Sequence, residues 1–146
     1  MKSFLLDSDT CISLIRGNET IRKKIMRVGS ERCFISEITV AELRFGAERS
    51  NRCEQEHHIV DLVCEEFTTL TISKTIRTFA TEKARLWDIG QKVADFDLLI
   101  GATAMYHGLI LVTNNTKHFE RIQSLQLENW IQKSETEGKQ SYNYTQ

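Results

Sequence analysis

The chain has 146 residues, of which 40% are hydrophobic and 27% charged, and its formal net charge is −1. A chain of this length forms a single domain that buries a core without disulfides. The small net charge excludes an overall basic field, so any contact with nucleic acid must come from a local patch. The four cysteines show no C-x-x-C spacing, and His57 and His58 show no metal-ligand spacing. No segment is typical of a signal peptide or a membrane span, so we expect a reduced, cytoplasmic protein without membrane contact.

Short apolar segments alternate with helical patterns along the chain. Strands are predicted at residues 3–6, 33–36, 68–72, 109–112 and 125–130. Helices, with their caps, are predicted at residues 10–17, 18–29, 36–49, 54–67, 73–90 and 96–108. This order, with no evident strand hairpin, is typical of an α/β fold. It predicts a central, mostly parallel sheet of four or five strands with helices on both faces.

Two of these helices are expected to bury an apolar stripe. In the third predicted helix, the stripe contains Ile38, Ala41 and Phe45. In the fifth, one side carries Ile76, Phe79, Ala80, Lys83, Ala84 and Trp87. The end of the chain is polar and aperiodic, so we expect the folded domain to span residues 1–132 and residues 133–146 to form a mobile tail.

Acidic side chains end or interrupt the apolar segments at three places. Asp7 ends the first strand, Glu42 lies within the third helix, and Asp97 lies in the first turn of the most apolar helix. Residues 113–115, Thr-Asn-Asn, follow the fourth strand. Because sites in parallel sheets form beyond the carboxyl ends of the strands, we expect Asp7 and this segment to meet. Other acids, such as Glu82 in "TEKAR", are expected to be solvated.

The three carboxylates have two competing explanations. Two ionised carboxylates ~4 Å apart repel by roughly 4 kcal/mol at an effective dielectric of 20, so three together require protonation or a cation. Oxygen ligands without a nearby His or Cys favour Mg²⁺ or Mn²⁺, which suits phosphodiester hydrolysis. Helix capping and the helix dipole would explain Asp7 and Asp97 equally well. They do not explain Glu42, which is mid-helix and has no Lys or Arg three or four residues away.

A partial match indicates a second enzyme class. "FLLDSDT" fits the D-x-D-x-T motif of haloacid-dehalogenase-like phosphatases at Asp7 and Asp9, but Thr10 comes one residue early. In such an enzyme Asp7 would be the nucleophile that accepts the phosphoryl group. That family also needs a late acidic pair after a strand, and "LVTNNT" contains no acid. An aspartate-nucleophile phosphatase is therefore kept as an alternative.

Three longer segments carry a more extensive pattern. They are "FLLDSDTCISLIRG", "ISEITVAELRFGAERS" and "VADFDLLIGATAMYHGLILVTNNTKHFERIQSLQLENW". Together they resemble a PIN-domain ribonuclease of the VapC toxin type. The first is similar to that family's strand followed by D-T-N, and the second to its I-T-x-x-E-L-x-x-G-A helix. The third is similar to its D-x-x-I-A-A helix and T-N-N-x-x-x-F loop. The resemblance covers residues 4–130 and implies a PIN-like three-layer α/β/α sandwich.

The resemblance also implies roles for individual residues. Asp7, Glu42 and Asp97 fall on the family's acidic metal-binding and catalytic positions. Asn115 falls where many members have a fourth acid, and Asp9 stands where Asn is usual. Supporting positions near the site are Ser8, Asp95 and Thr113.

The function implied by the resemblance is that of a metal-dependent endoribonuclease, the toxin of a VapBC-type toxin–antitoxin system. It would cleave looped or single-stranded RNA, often tRNA, by metal-activated water, with Mg²⁺ as the cofactor and Mn²⁺ as a substitute. The implied partners are a VapB-type antitoxin and a second copy of the chain in a homodimer. A catalytically silent PIN-fold binding module stays open as an alternative because of Asp9 and Asn115.

Two basic segments are candidates for RNA binding. Residues 16–32 contain six basic residues against two Glu, and a shorter basic segment follows Asn115. The candidates are Arg22, Lys23 and Arg27 in the first segment and Lys117 and Arg121 in the second. Cations there would offset the repulsion between an acidic site and RNA. An ordinary solvated helix face is the competing explanation for the first segment.

Overall fold

The five strands form one sheet in the order β3-β2-β1-β4-β5, and every neighbouring pair is parallel. The computed structural model describes residues 1–131. The strands are β1 Phe4–Leu6, β2 Cys33–Ser36, β3 Thr68–Leu70, β4 Ile110–Val112 and β5 Leu127–Glu128. The predicted sheet is confirmed, although β5 is shorter than the predicted 125–130 because only two residues pair with β4.

The predicted helices are all present, with bounds that differ by a few residues. They are α1 Ser8–Ile15, α2 Glu19–Val28, α3 Glu37–Glu48, α4 Cys53–Glu66, α5 Ile76–Asp88 and α6 Asp95–His107. Two predicted N-caps are confirmed. Asn18 caps α2 by accepting from the Ile21 N–H at 3.1 Å, and Ser36 caps α3 by accepting from the Ile38 N–H at 3.1 Å. A further helix, α7 Thr116–Phe119, was not predicted, because four residues are too few to show a helical period.

The sheet separates two hydrophobic cores. In β1, Phe4 and Leu6 pack on one face with Ile21 of α2 and Val60 of α4. Leu5 between them points to the other face. There it shares a core with Leu86 of α5, Leu98 of α6 and Leu111 of β4. The alternation of side chains along a buried strand therefore produces the three layers, helices–sheet–helices, that the sequence predicted.

The predicted stripe of α3 is wrong in two of its three positions. Ile38 is buried, but Ala41 is exposed and Phe45 is 67% exposed. Instead Leu43 is buried, and it packs into the core opposite to that of Ile38. Helix α3 thus contacts both cores, so its buried residues do not follow a single helical stripe.

The predicted stripe of α5 is wrong at both of its ends, although Phe79 within it packs against the core. Ile76 is 53% exposed and Trp87 is 71% exposed, whereas Leu86 and Glu82 are buried. Glu82, which was expected to be solvated, accepts hydrogen bonds from the Arg85 guanidinium and from the Gln123 N–H. Those partners allow a carboxylate to replace an apolar residue on the inner face of the helix.

The register of β1 against β4 positions the site. The Asp7 N–H donates to the Val112 carbonyl at 2.9 Å, so Asp7 and Thr113 leave the sheet side by side at its carboxyl edge. No helix within residues 1–131 is long and apolar enough to cross a membrane. The tail predicted for residues 133–146 lies outside the described residues.

Candidate active site

Asp7 is a buried carboxylate at the end of β1, with 6% of its surface exposed. Its Oδ1 accepts from the Ser8 N–H at 2.8 Å, which makes it the N-cap of α1. Its Oδ2 accepts from the Thr113 hydroxyl at 2.9 Å. The capping explanation is therefore correct but incomplete. Among residues 1–131, the ion pairs formed by Lys, Arg and His do not include Asp7, so its charge has no direct cationic partner there.

Asp9 lies next to Asp7 in the same site. Its Oδ2 accepts from the Asn114 N–H at 2.9 Å and lies 3.5 Å from the Thr113 hydroxyl oxygen. The sequence singled out Asp9 as the second aspartate of the phosphatase-like motif and as a departure from the PIN-family pattern, but not as a member of this site. Its spacing of two from Asp7, both just past the carboxyl end of β1, was the signal that could have placed it in the site.

Glu42 of α3 joins the site through a serine. The Ser8 hydroxyl oxygen lies 3.2 Å from Glu42 Oε1 and 3.4 Å from Asp7 Oδ1, so its one proton can serve only one of the two carboxylates at a time. Burial raises the pKa of Glu42, and the charges of Asp97 and Asp9 raise it further. The charges of these acids therefore act on one another, although the residues come from four separate places in the chain.

Asp97 of α6 faces a histidine that the sequence did not associate with it. His118 Nε2 lies 3.0 Å from Asp97 Oδ2, which is an ion-pair distance, although the two atoms lack hydrogen-bond geometry. His118 belongs to α7, the helix that was not predicted. No local pattern could have paired two residues that meet only after the chain folds.

The electrostatics of the site oppose the ionisation of its carboxyls. Burial raises the pKa of Asp7 to about 7, and the charges of Asp9 and Glu42 add to this rise against the hydrogen bonds from Thr113 and Ser8. Burial also raises the pKa of Asp9. A divalent cation would remove both costs, because it replaces lost hydration and screens the mutual repulsion.

The donors at this site fit a hard cation, but they are spread apart. Carboxylate and hydroxyl oxygens are the ligands that Mg²⁺ and Mn²⁺ prefer. Within the described residues, however, Asp7, Glu42 and Asp97 do not place one oxygen each within 4.8 Å of one another. Mg²⁺ keeps several waters in its shell, so a bound ion need not contact all three directly.

Other predicted residues lie around this cluster with differing partners. Asn115 is exposed, and its N–H donates to the Thr113 hydroxyl oxygen at 3.0 Å. Asp95 is exposed and pairs with Lys83 at 2.8 Å instead of joining the acids. Of the RNA-binding candidates, Lys23, Arg27 and Lys117 are exposed, Arg22 pairs with Glu19, and Arg121 donates to the Lys92 carbonyl.

Two grooves adjoin the site and share Ile12 and Arg16. One, of about 650 Å³, includes Asp9 and Asn114 in its lining. The other, of about 350 Å³, is lined mainly by α1, α3 and α4 and has Glu42 at its wall. Its apolar lining residues are Ile12, Ile15, Leu43, Ala47, Ile59 and Val60. The Asp9 and Glu42 carboxylates are therefore accessible, each from a different groove.

Comparison with known proteins identifies the family of this chain. The model of the PIN domain matches residues 4–125, so the chain belongs to the PIN-domain family. Within that family it belongs with the VapC ribonucleases. It is 34% identical over 133 residues to ribonuclease VapC2 of Haemophilus influenzae, covering 90% of this chain and 100% of that protein. It is 31% identical over 131 residues to the tRNA(fMet)-specific endonuclease VapC of Shigella flexneri, covering 89% of this chain and 99% of that protein.

Solved structures show the same relationship. The DNA-bound VapBC complex from Salmonella typhimurium contains a chain that superposes with a TM-score of 0.83 at 33% identity, covering 89% of this chain and 99% of that chain. A chain of VapBC2 from Rickettsia felis, bound to a promoter DNA fragment, gives a TM-score of 0.82 at 28% identity, covering 87% of this chain and 98% of that chain. The PIN fold is thereby confirmed, and the phosphatase alternative loses its support.

Proposed function

We propose that this protein is the toxin of a VapBC-type system, an endoribonuclease that depends on a divalent cation. The observation that carries this proposal is Asp7, a buried carboxyl whose pKa is raised to about 7 by burial and by neighbouring acids. Like charges brought together in a partly buried site cost stability, so a protein that keeps them there is a candidate for a functional site at that place. In a chain of the VapC family, the cation that would relieve this cost is the one that RNA hydrolysis requires.

Asp7, Glu42 and Asp97 are the residues that would hold this cation, with Mg²⁺ as the natural ion and Mn²⁺ as a substitute. When bound, the ion would supply charge neutralisation at the scissile phosphate and lower the pKa of a water. The Thr113 hydroxyl and the Ser8 N–H hold the Asp7 carboxylate in place, at 2.9 and 2.8 Å, and the Ser8 hydroxyl lies between Asp7 and Glu42. Asn115, exposed beside them, would orient the phosphate through its amide. Asp95 would act from the rim, because it pairs with Lys83.

The substrate would be looped or single-stranded RNA, with tRNA as the first candidate because a Shigella relative is named for tRNA(fMet). Lys23 and Arg27 are exposed on α2, and Lys117 is exposed on α7. Phosphate contacts from these cations, together with Arg22 and Arg121, would compensate for the acidic site. RNA in the larger groove would lie beside Asp9 and Asn114.

The proposed partner is a VapB-type antitoxin, which the similarity to VapBC complexes supports. The apolar groove between α1, α3 and α4 suits hydrophobic side chains, and Glu42 at its wall suits an arginine that pairs bidentately with carboxylates. Such an arginine would occupy the place of the cation. Inhibition would then follow from competition at the carboxylates.

Homodimerisation, the domain boundary and the location complete the proposal. Helix α5 exposes Ile76 and Trp87 on the same side, which gives an apolar face suited to a second copy. The nuclease domain would span residues 1–132, with residues 133–146 as a tail. The protein would act in the cytoplasm, where its RNA substrate is found.

A cleavage assay tests the proposal. Purified protein is incubated with total tRNA and with unstructured RNA, in Mn²⁺ or in EDTA, beside a p-nitrophenyl phosphate assay. Cleavage that needs the metal, is lost in Asp97→Ala and is absent on p-nitrophenyl phosphate supports the nuclease. Phosphatase activity without RNA cleavage would favour the phosphatase, and inactivity on every substrate, with no growth arrest on expression, would favour the silent module.

A further inference from the structure

A second cluster of ligand-type side chains lies at the turn between α3 and α4. Glu48 is the last residue of α3, Cys53 is the first residue of α4, and His57 lies one helical turn further on. One donor atom from each of the three lies within 4.8 Å of the other two. Within residues 1–131, no other group of three His, Cys, Asp or Glu side chains is so compact.

The spacing of this cluster is that of a helical chelate. Cys53 and His57 are four residues apart in α4, so their side chains lie one above the other on the same face. His57 Nε2 is 2.8 Å from Glu48 Oε1, and Cys53 is a free thiol. The His57 side chain is only 22% exposed, so the ring is held rather than free in solvent. Cysteines alone and histidines alone show no ligand spacing in the sequence, and only the mixed Cys-x-x-x-His pair indicates this cluster.

The donor types differ from those of the carboxylate site. A thiolate, an imidazole and one carboxylate select Zn²⁺ over Mg²⁺, because sulfur and nitrogen are softer ligands than oxygen. Three protein ligands and a water would complete a tetrahedron, and Glu48, 68% exposed, leaves room for that water.

We propose that Glu48, Cys53 and His57 form a Zn²⁺ site that fastens the end of α3 to the start of α4. It is separate from the carboxylate site and does not depend on the nuclease assignment. Binding would displace the thiol proton of Cys53 and leave the remaining imidazole proton of His57 on Nδ1. Because Gly46, Ala47 and Ser50 at this end of α3 line the apolar groove, the ion would also stiffen one wall of that groove.

Arg44 is the residue that competes with this site. Its Nη1 lies 3.1 Å from His57 Nδ1 and donates to the His57 carbonyl at 2.9 Å, and its Nη2 pairs with Asp61. A guanidinium can only donate, so it cannot accept the Nδ1 proton that zinc ligation requires. Zinc binding must therefore shift Arg44 away from the ring. Replacement by Gln, whose carbonyl can accept that proton, is expected to strengthen binding.

Cobalt substitution tests this proposal directly. EDTA-stripped full-length protein is titrated with Co²⁺ in excess Mg²⁺, which saturates the carboxylate site, and thiolate-to-cobalt absorption is recorded. Zn²⁺ is then titrated by competition. Wild type is expected to bind one ion per chain with a thiolate band. Cys53→Ser should lose the band, His57→Gln should bind Zn²⁺ at least tenfold more weakly, and Arg44→Gln should bind more tightly.

Matched controls make the result specific. Cys64→Ser, a half-buried cysteine on the same helix, and Glu54→Gln, an acid beside Cys53, should keep the band and stay within about threefold of wild-type affinity. If Cys53→Ser does not fold, His57→Gln carries the test, and circular dichroism verifies its fold. Absence of a thiolate band in wild type, or a band that survives Cys53→Ser, overturns the proposal. Equal Zn²⁺ affinity in wild type and His57→Gln also overturns it.

Discussion

Asp7 and Glu82 are two carboxylates with nearly the same burial and opposite surroundings. Asp7 is 6% exposed and Glu82 is 5% exposed. Although burial raises the pKa of Glu82, hydrogen bonds from Arg85 and the Gln123 N–H bring it below its ordinary value. At Asp7 burial and two acidic neighbours prevail, and the pKa rises to about 7. Burial alone therefore does not mark a site, whereas burial without a compensating cation does.

The role of Glu82 is structural. Arg85 Nη2 also donates to the Arg121 carbonyl at 2.9 Å, so the pair ties α5 to the loop after α7. That loop follows the helix carrying His118, which faces Asp97. A paired acid thus stabilises the segment that helps build the site, while Asp7, which forms no ion pair within residues 1–131, lies in the site itself.

The largest expected effect is on catalysis. We expect it for acids of the Asp7 site and not for acids outside that site. Asp7→Ala or Asp97→Ala should lower RNA cleavage by roughly 10²–10³-fold or more, because each removes charge from the proposed cation site. Cleavage is measured under single-turnover conditions in Mg²⁺. Asp88→Ala, at an exposed position of α5, is the control and should cleave at the wild-type rate. A fully active Asp7→Ala would remove this cluster from the mechanism.

The second effect is on the free energy of unfolding and concerns Glu82, the acid that is paired with Arg85. Within the described residues, Arg85→Ala leaves the buried Glu82 carboxylate with the Gln123 N–H as its remaining partner, so it should lower the free energy of unfolding by several times the change expected at an exposed site. Urea denaturation measures the free energy of unfolding. Arg77→Ala, on an exposed part of the same helix, should change it by less than about 0.5 kcal/mol. Similar values for the two variants would mean that the pair contributes little.

The third effect is on the stability of the metal-free protein, and here a substitution at Asp7 should stabilise the fold. Asp7→Asn should stabilise the metal-free protein by about 1–3 kcal/mol near pH 8, because it removes a buried charge that its neighbours repel. The folded-state pKa of about 7 lies above the ordinary value of 3.8, so between these values the folded state binds more protons than the unfolded state. Wild-type stability in EDTA should therefore fall as pH rises through this window.

Thermal unfolding in EDTA at several pH values measures this dependence. Asp7→Asn should flatten the slope, and Asp88→Asn should leave it unchanged. Mg²⁺ should raise the melting temperature of the wild type at high pH more than at low pH, since protons and the cation compete for the same oxygens. Wild-type stability that rises with pH through the window would contradict the charge balance described for Asp7.

The smallest effect concerns the basic residues of α2. Replacing Arg22, Lys23 and Arg27 by Gln should weaken RNA binding and lower the slope of log K against log salt by about 2, because each cation that neutralises a phosphate contributes roughly 0.7 to that slope. The rate at saturating RNA should not change, because the carboxylates are untouched. Filter binding at several salt concentrations measures the slope. Lys2→Gln is the control, because Lys2 precedes β1 and so lies at the end of the sheet opposite to the carboxylates. An unchanged slope in the triple variant would identify α2 as an ordinary solvated face.

Local patterns predicted most of the fold. The strands, six of the helices and the parallel sheet follow from apolar periodicity, from the caps Asn18 and Ser36, and from the alternation of strands and helices. The same patterns placed Asp7 and Thr113 at one edge, where they form a hydrogen bond of 2.9 Å. These predictions succeed because each depends on residues close in sequence or on a general rule of parallel sheets.

Tertiary structure decided which faces became buried and which side chains met. Helix α3 contacts two cores and exposes Phe45, and α5 buries Glu82 and Leu86 and exposes Trp87. His118 meets Asp97 only because the folded chain brings α7 next to the first turn of α6. Such contacts depend on the relative positions of segments that are far apart in sequence, and a periodic pattern carries no information about those positions. The sequence by itself therefore determined the elements and the acids, and the packing of helices on the sheet determined how those acids are paired.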